Sequence, residues 1–154
     1  MVTYYADTSA AVKLYVLELG SGWIRDLLAH GQQPVVLSSV LLRVEMRSAF
    51  ARRLREGTVT PDEYAAMCHQ CDVHRATFYR LAPLDEAMIQ RANALIDRHP
   101  LRSYDAIHLA TALIINQQLL DANIPALAFL SADDRLNAVA DAEGLAADNP
   151  NHHP

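Results

Sequence analysis

Four carboxylates stand where they could do chemistry together: Asp7 in YYADTSA, Glu45 in RVEMRSA, Asp105 in LRSYDAIHLA and Asp133 in FLSADDRL. Three of them also have ordinary explanations. Asp7 follows a short Tyr-rich run and precedes two hydroxyl residues, the composition of a helix cap. Asp105 lies in the first turn of a helix, where the macrodipole favours an acid. Asp133 stands between a strand and the helix that follows it. Glu45 is different, because it sits mid-helix and caps nothing. Its helical neighbours are Leu41, Leu42, Ser48 and Ala49, so its side chain faces a surface that is at least partly buried. A carboxylate there needs compensation, either from Arg52 two turns on or from a bound cation.

Four acids gathered in one crevice would raise one another's pKa unless a cation stood among them. All-oxygen ligation selects a hard ion, Mg2+ or Mn2+, over zinc. Such an ion can activate water and neutralise the charge of an in-line displacement at phosphorus.

The intervening segments decide whether the acids can meet. VTYYA reads as a strand that runs into the helix SAAVKLYV, interrupted at Gly20 and Gly22. A second helix, WIRDLLAH, stops at Gly31. PVVLSS is another buried strand, delivering Ser38 or Ser39 as cap to the long helix VLLRVEMRSAFARRLREG, which ends at Gly57. Thr60, Pro61 and Glu63 form a capping box that opens a helix running to about Phe78. YRLAPL reads as a short strand or an extended link into DEAMIQRANALIDRH, a helix closed by Pro100. Ser103 can cap the largely apolar helix SYDAIHLATALIINQQLLDA, on which Asp105 shares a face with His108, Leu109 and Ala112. The strand ALAFLS, the helix DRLNAVADAEG and a last edge strand in GLAADNP complete the chain.

Strands that are nearly continuous apolar runs, alternating with helices, predict a parallel sheet covered on both faces. Ligands then sit at the carboxyl ends of the strands, where Asp7 and Asp133 would share one edge although more than a hundred residues separate them.

Composition bounds the alternatives. The 154 residues, half of them hydrophobic, predict one domain spanning the chain. The longest apolar run, LATALII, is far short of the roughly 20 residues of a membrane span, and no leader opens the chain, so a soluble cytoplasmic protein is expected. Cys68 and Cys71, with His69 and His74 nearby, lie along one helix without a second CxxC, which argues against zinc. The formal net charge of −5 speaks against general nucleic-acid affinity, yet it hides a cluster. Lys13 is the only lysine, and five arginines fall between Arg43 and Arg55. Of these, Arg43, Arg47 and Arg52 are candidates for holding phosphates, although a solvated helix face has the same composition. Dinucleotide and P-loop signatures do not occur. ADTSA loosely resembles an aspartyl-phosphate phosphatase motif, but that chemistry wants an aspartate where Ser9 stands.

YADTSAAVKLY, VEMRSAFARRLREG, HPLRSYDAIHLATAL and FLSADDRLNAVADAEGL occur in the order and spacing of a known family: the chain resembles a PIN-domain ribonuclease of the VapC toxin type over essentially its whole length. The resemblance implies a three-layer α/β/α fold with a mainly parallel sheet, and ligation of the cation by Asp7, Glu45, Asp105 and Asp133. It implies that Ser9 and Ser131 support these ligands from behind. The pattern hydroxyl, any residue, aspartate favours Asp133 over Asp134, leaving Asp134 as the helix cap or an outer partner. The implied reaction is hydrolysis of an RNA phosphodiester by metal-activated water, leaving a 5′-phosphate and a 3′-hydroxyl. The implied partners are a VapB-type antitoxin and a second copy in a homodimer, with the helices near 60 to 80 as surfaces for either. The resemblance also marks the closing DNPNHHP as native, so that His152 and His153 are not a tag. A rival of another class is a non-catalytic RNA- or partner-binding module on the same fold.

Overall fold

In the computed structural model, which describes residues 1–29 and 33–154, five short strands form one sheet. They are β1 (Thr3–Ala6), β2 (Val35–Ser39), β3 (Tyr79–Ala82), β4 (Ala128–Leu130) and β5 (Ala146–Asp148). Their order across the sheet is β3-β2-β1-β4-β5, and every neighbouring pair is parallel. Tyr5 of β1 lies opposite Leu37 of β2 and Phe129 of β4.

Seven helices connect the strands. They are α1 (Thr8–Ala11), α2 (Ser21–Ala29), α3 (Leu42–Arg55), α4 (Pro61–Thr77), α5 (Glu86–Arg98), α6 (Ser103–Asp121) and α7 (Asp134–Ala142). Strand periodicity assigns each face its own core. Ala6, Val36, Tyr79 and Leu130 pack with α1 to α4 around Ile24, Leu28, Met46 and Phe50. Tyr5 and Phe129 pack with α5 to α7 around Leu95, Leu109, Leu127 and Leu136. These are the three layers expected. The chain crosses from β1 to β2 on one side of β1 and later returns to β4 on its other side. The strand order therefore reverses at β1, and a crevice opens at the carboxyl ends there.

Local signals behave as their chemistry requires. Thr60 accepts from the backbone N–H of Glu63 while the Glu63 carboxylate accepts from that of Thr60, completing the capping box ahead of Pro61. Ser38 does not cap α3. It donates to the carbonyl of Ala6 at 2.7 Å, tying β2 to the end of β1, and Ser39 accepts from the N–H of Leu41. Ser103 does not cap α6 either, because the helix begins at Ser103 itself and Arg102 occupies the cap position with no side-chain bond. The stop expected at Gly31 lies outside the described residues. Among the described residues no helix is long and apolar enough to cross a membrane.

Candidate active site

Asp7 is both cap and site residue. It ends β1 as the cap of α1, where its Oδ1 accepts from the N–H of Ala10 at 2.9 Å and from the hydroxyl of Ser9 at 2.7 Å. Oδ2 accepts from the Ser131 hydroxyl at 2.6 Å. Ser9 is itself fixed by the N–H of Ala132 at 2.9 Å, and Ser131 by the N–H of Asp133 at 3.1 Å. Two hydroxyls, one from the first turn of α1 and one from just past the end of β4, thus lock one carboxylate. Burial pushes the Asp7 carboxyl above its ordinary range, opposed by the nearby His108 and by the Ser131, Ser9 and Ala10 hydrogen bonds.

Glu45 projects from α3 toward the same place. Its Oε1 meets Nε2 of His108 at 2.6 Å, and the other nitrogen of that ring meets the hydroxyl of Tyr5 at 3.0 Å. The compensating partner expected for this inward glutamate was Arg52 or a cation, and the partner present is a histidine. His108 is 2 % exposed and packs edge-on against Tyr5, so a buried ring from α6 links the β1 tyrosine to the α3 carboxylate. Sequence spacing had placed His108 on the inward face of α6 with Asp105. Nothing in sequence joined it to Glu45.

Asp105, in the first turn of α6, accepts from Nε of Arg102 at 3.3 Å. Asp7, Glu45 and Asp105 line one cleft of about 750 Å³, together with Ser9, Lys13, Arg52, Arg53, Arg102 and Tyr104. A larger hollow of about 1020 Å³ opens near the amino ends of β2 and β3, but no carboxylate lines it. The chemistry therefore belongs to the cleft at the carboxyl edge.

The fourth acid stands next door. Asp133 lines a smaller hollow of about 300 Å³ that shares Arg102 and Asp105 with the main cleft. Its Oδ1 accepts from the N–H groups of Arg135 and Leu136, which makes Asp133 the cap of α7. The cap expected at Asp134 is thereby moved one residue back. Ser131 holds the backbone of Asp133, and that turn brings the Asp133 side chain onto the helix end. Asp134 points instead at the tail, accepting from Asn149 at 2.6 Å and facing His152 at 3.1 Å. It supports the closing segment, away from Asp7.

The arginines divide between two surfaces. Arg52 lines the acidic cleft, whereas Arg43 and Arg47 line a pocket between α3 and α4 with Asp72, Arg75 and Tyr79. A helix turns by about 100° per residue, so positions two before and two after Glu45 face away from it, while Arg52, seven residues on, returns to its side. Lys13 was not singled out. It is 4 % exposed, pairs with Glu18 at 3.0 Å and donates to the carbonyl of Leu19, and Glu18 also receives Arg53 at 3.1 Å. The signal available was its place six residues after Asp7, on the helical segment that Asp7 opens.

Among the described residues no three His, Cys, Asp or Glu side chains converge as a ready cation cage. Glu45 is turned onto His108 and Asp105 onto Arg102. The donor set is nonetheless all oxygen, anionic and partly desolvated, which suits a hard divalent cation once those two side chains swing inward. Cys68 and Cys71 are free thiols on α4 and form no such group with its histidines.

Residues 4–142 match the model of the PIN domain family. Ribonuclease VapC45 of Mycobacterium tuberculosis is 36% identical over 145 residues, spanning 94% of this chain and 93% of that protein. Ribonuclease VapC35 of the same organism is 30% identical over 146 residues, 95% of this chain and 96% of that protein. Among solved structures, a chain of a toxin-antitoxin complex from Klebsiella pneumoniae aligns with a TM-score of 0.59 at 16% identity, covering 96% of this chain and 97% of its own. At that identity the likeness speaks for the fold.

Proposed function

For a chain that belongs to the PIN domain family, we propose that the acidic cleft is the centre of a divalent-metal-dependent endoribonuclease, a VapC-type toxin restrained by a cognate antitoxin. One observation carries this reading. Three carboxylates from three separate elements, Asp7 after β1, Glu45 on α3 and Asp105 on α6, line one crevice where the strand order reverses, with Asp133 adjoining. The names of the relatives, which are ribonucleases and match along nearly their full length, support it.

Asp7, Glu45, Asp105 and Asp133 would hold Mg2+ or Mn2+. When bound, the ion supplies positive charge for the phosphodiester and Lewis acidity for the activation of water. The protein's part is position and charge. Ser9 and Ser131 fix both oxygens of Asp7, so that this ligand is preset. His108, anchored by Tyr5, holds Glu45 beside the cleft. Arg52, Arg53 and Arg102 would meet phosphates on either side of the scissile one. Single-stranded or looped RNA suits the site, because its unstacked strand can bend to bring the scissile phosphate down to the carboxylates' cation. The antitoxin would contribute a basic group to the same carboxylates. The active form would be a homodimer working in the cytoplasm.

Cleavage of total RNA with Mg2+ or Mn2+ by the wild type and by Asp105→Asn, with the cut ends mapped, tests this. Wild-type cutting that leaves 5′-phosphates and is lost in the variant is the result expected. Equal cutting by both proteins, or no metal-dependent cutting by either, overturns the proposal.

A further inference from the structure

Tyr104 immediately precedes Asp105 on the first turn of α6, is 58% exposed, and lines the acidic cleft. Among the described residues its ring stacks on no other aromatic side chain, although seven other aromatic contacts occur in the molecule. Val44 of α3, 72% exposed, lines the same cleft beside Glu45. Tyr104 and Val44 thus add exposed apolar surface to a cleft that also carries carboxylates, hydroxyls, small apolar side chains and the basic side chains of Lys13, Arg52, Arg53 and Arg102. An aromatic face among cations is the combination single-stranded nucleic acids require, since a base offers a π-face and its phosphate a negative charge.

We propose that Tyr104 is the base platform of the cleft, stacking a nucleobase of single-stranded RNA so that the attached phosphate is presented to Asp105 and its neighbours, with Val44 covering the base edge. The assignment rests on the endoribonuclease reading above and extends it to how the strand is seated. Because Tyr104 and Asp105 line the same cleft, the base held by Tyr104 belongs to a nucleotide near the scissile bond. Stacking accepts any base face, so Tyr104 sets strand position and favours bases that stack well, leaving hydrogen-bonded discrimination to other contacts. The exposure of Tyr104 also makes it a clean target, because truncating it opens no cavity in either core.

The test is binding of a single-stranded RNA oligonucleotide in EDTA, read by anisotropy over a range of salt, with 2-aminopurine at successive positions as a stacking reporter. Tyr104→Ala is expected to weaken binding by about five-fold or more, as the loss of one stacked base predicts. Tyr104→Phe is expected to retain the affinity and the quenching of one 2-aminopurine position. The salt dependence stays unchanged in Tyr104→Ala, whereas Arg52→Gln makes it shallower by roughly 0.7 in the log-log slope, the value for one phosphate contact on a single strand. An abasic strand of equal length binds the wild type and Tyr104→Ala alike. Equal affinity of the wild type and Tyr104→Ala for the base-bearing strand, or the same loss on the abasic strand, overturns the platform while leaving the nuclease reading in place. A change of oligomer mass in Tyr104→Ala, with RNA affinity unaltered, assigns the residue to a contact between copies and also overturns it. A wild type that neither binds nor cuts single-stranded RNA removes the nuclease reading, and the platform falls with it.

Discussion

Replacing Asp7 by Asn should make the metal-free protein more stable and make it deaf to the metal. Asp7 is 5% exposed, and burial raises its carboxyl pKa above the ordinary 3.8 in spite of His108 and the Ser131, Ser9 and Ala10 hydrogen bonds. Below 3.8 both the folded and the unfolded chain keep the proton, and the group has no effect on stability. As pH rises from 3.8, the unfolded chain releases its proton first, so stability declines until the pH passes the folded-state value. Above that value the loss is complete. For a chain of this length 1 kcal/mol moves the melting temperature by about 2–4 °C. Asn keeps an acceptor for Ala10 and Ser9 and turns a donor toward the Ser131 oxygen, so it removes the charge with little change of shape. At pH 7.5 in EDTA, Asp7→Asn should melt above the wild type, and the gap should close as the pH is lowered toward 4. With Mn2+ at a hundred times its dissociation constant, the wild type should gain about 2.7 kcal/mol, or roughly 5–11 °C, and the variant almost nothing. Adding metal therefore shifts the difference between the two melting temperatures in favour of the wild type by about that amount. Scanning fluorimetry across pH, with and without Mn2+, reads all of this. A variant that melts below the wild type in EDTA at pH 7.5 and gains as much from Mn2+ would refute both the desolvation argument and the ligand assignment.

Two other substitutions probe how the cleft is held. His108→Ala leaves the Tyr5 hydroxyl and Glu45 without their partner and opens a hole on the α6 side of the sheet. It should lower unfolding stability in urea by about 2–5 kcal/mol, and His108→Gln by clearly less, while a loss under about 0.5 kcal/mol for the alanine variant would show the link to be incidental. Gly20→Ala should detach the closing segment, because Gly20 has φ +80° and a Cβ there would lie 2.2 Å from the Pro150 carbonyl oxygen. His153 stacks on Trp23 with ring centroids 4.0 Å apart, so a shift in the emission of this single tryptophan reports the detachment, and an unchanged spectrum and melting temperature would refute it.

What sequence made legible was local or periodic. The Thr60–Glu63 capping box lies within four residues and needs no tertiary context, and the apolar strand runs carry the parallel sheet because both faces are covered. The Asp7 environment was half legible. The cap of α1 is local, but the Ser131 hydroxyl that locks Oδ2 arrives from 124 residues away, just past the end of the neighbouring strand. Glu45 shows the limit most clearly. That an inward carboxylate requires a partner follows from desolvation alone, yet His108 lies 63 residues on and reaches it only because side chains from helices on opposite faces of the sheet meet at its carboxyl edge. The cap of α7 was equally out of reach: either aspartate can cap a helix, the expectation gave Asp134 that role or an outer one, and the turn held by Ser131 gives the cap to Asp133.

Several of the contacts at the carboxyl edge set a basic group against a carboxylate. Glu45 faces His108, Asp105 faces Arg102, and Glu18 holds both Lys13 and Arg53. Three of the four carboxylates lining the cleft therefore already have a basic partner, and binding there would be exchange. A cation that takes Glu45 and Asp105 frees His108 and Arg102 from them, and a phosphate that takes Arg53 must compete with Glu18. Exposed pairs such as Arg102–Asp105, with the arginine side chain 86% accessible, yield at little cost, since such pairs are worth about 0–1 kcal/mol. The buried Glu45–His108 contact yields less readily, because His108 is also tied to Tyr5 and cannot follow the carboxylate. Asp105 should accordingly be the first of the two to turn toward an incoming cation, and Glu45 the ligand whose release governs how tightly it is held.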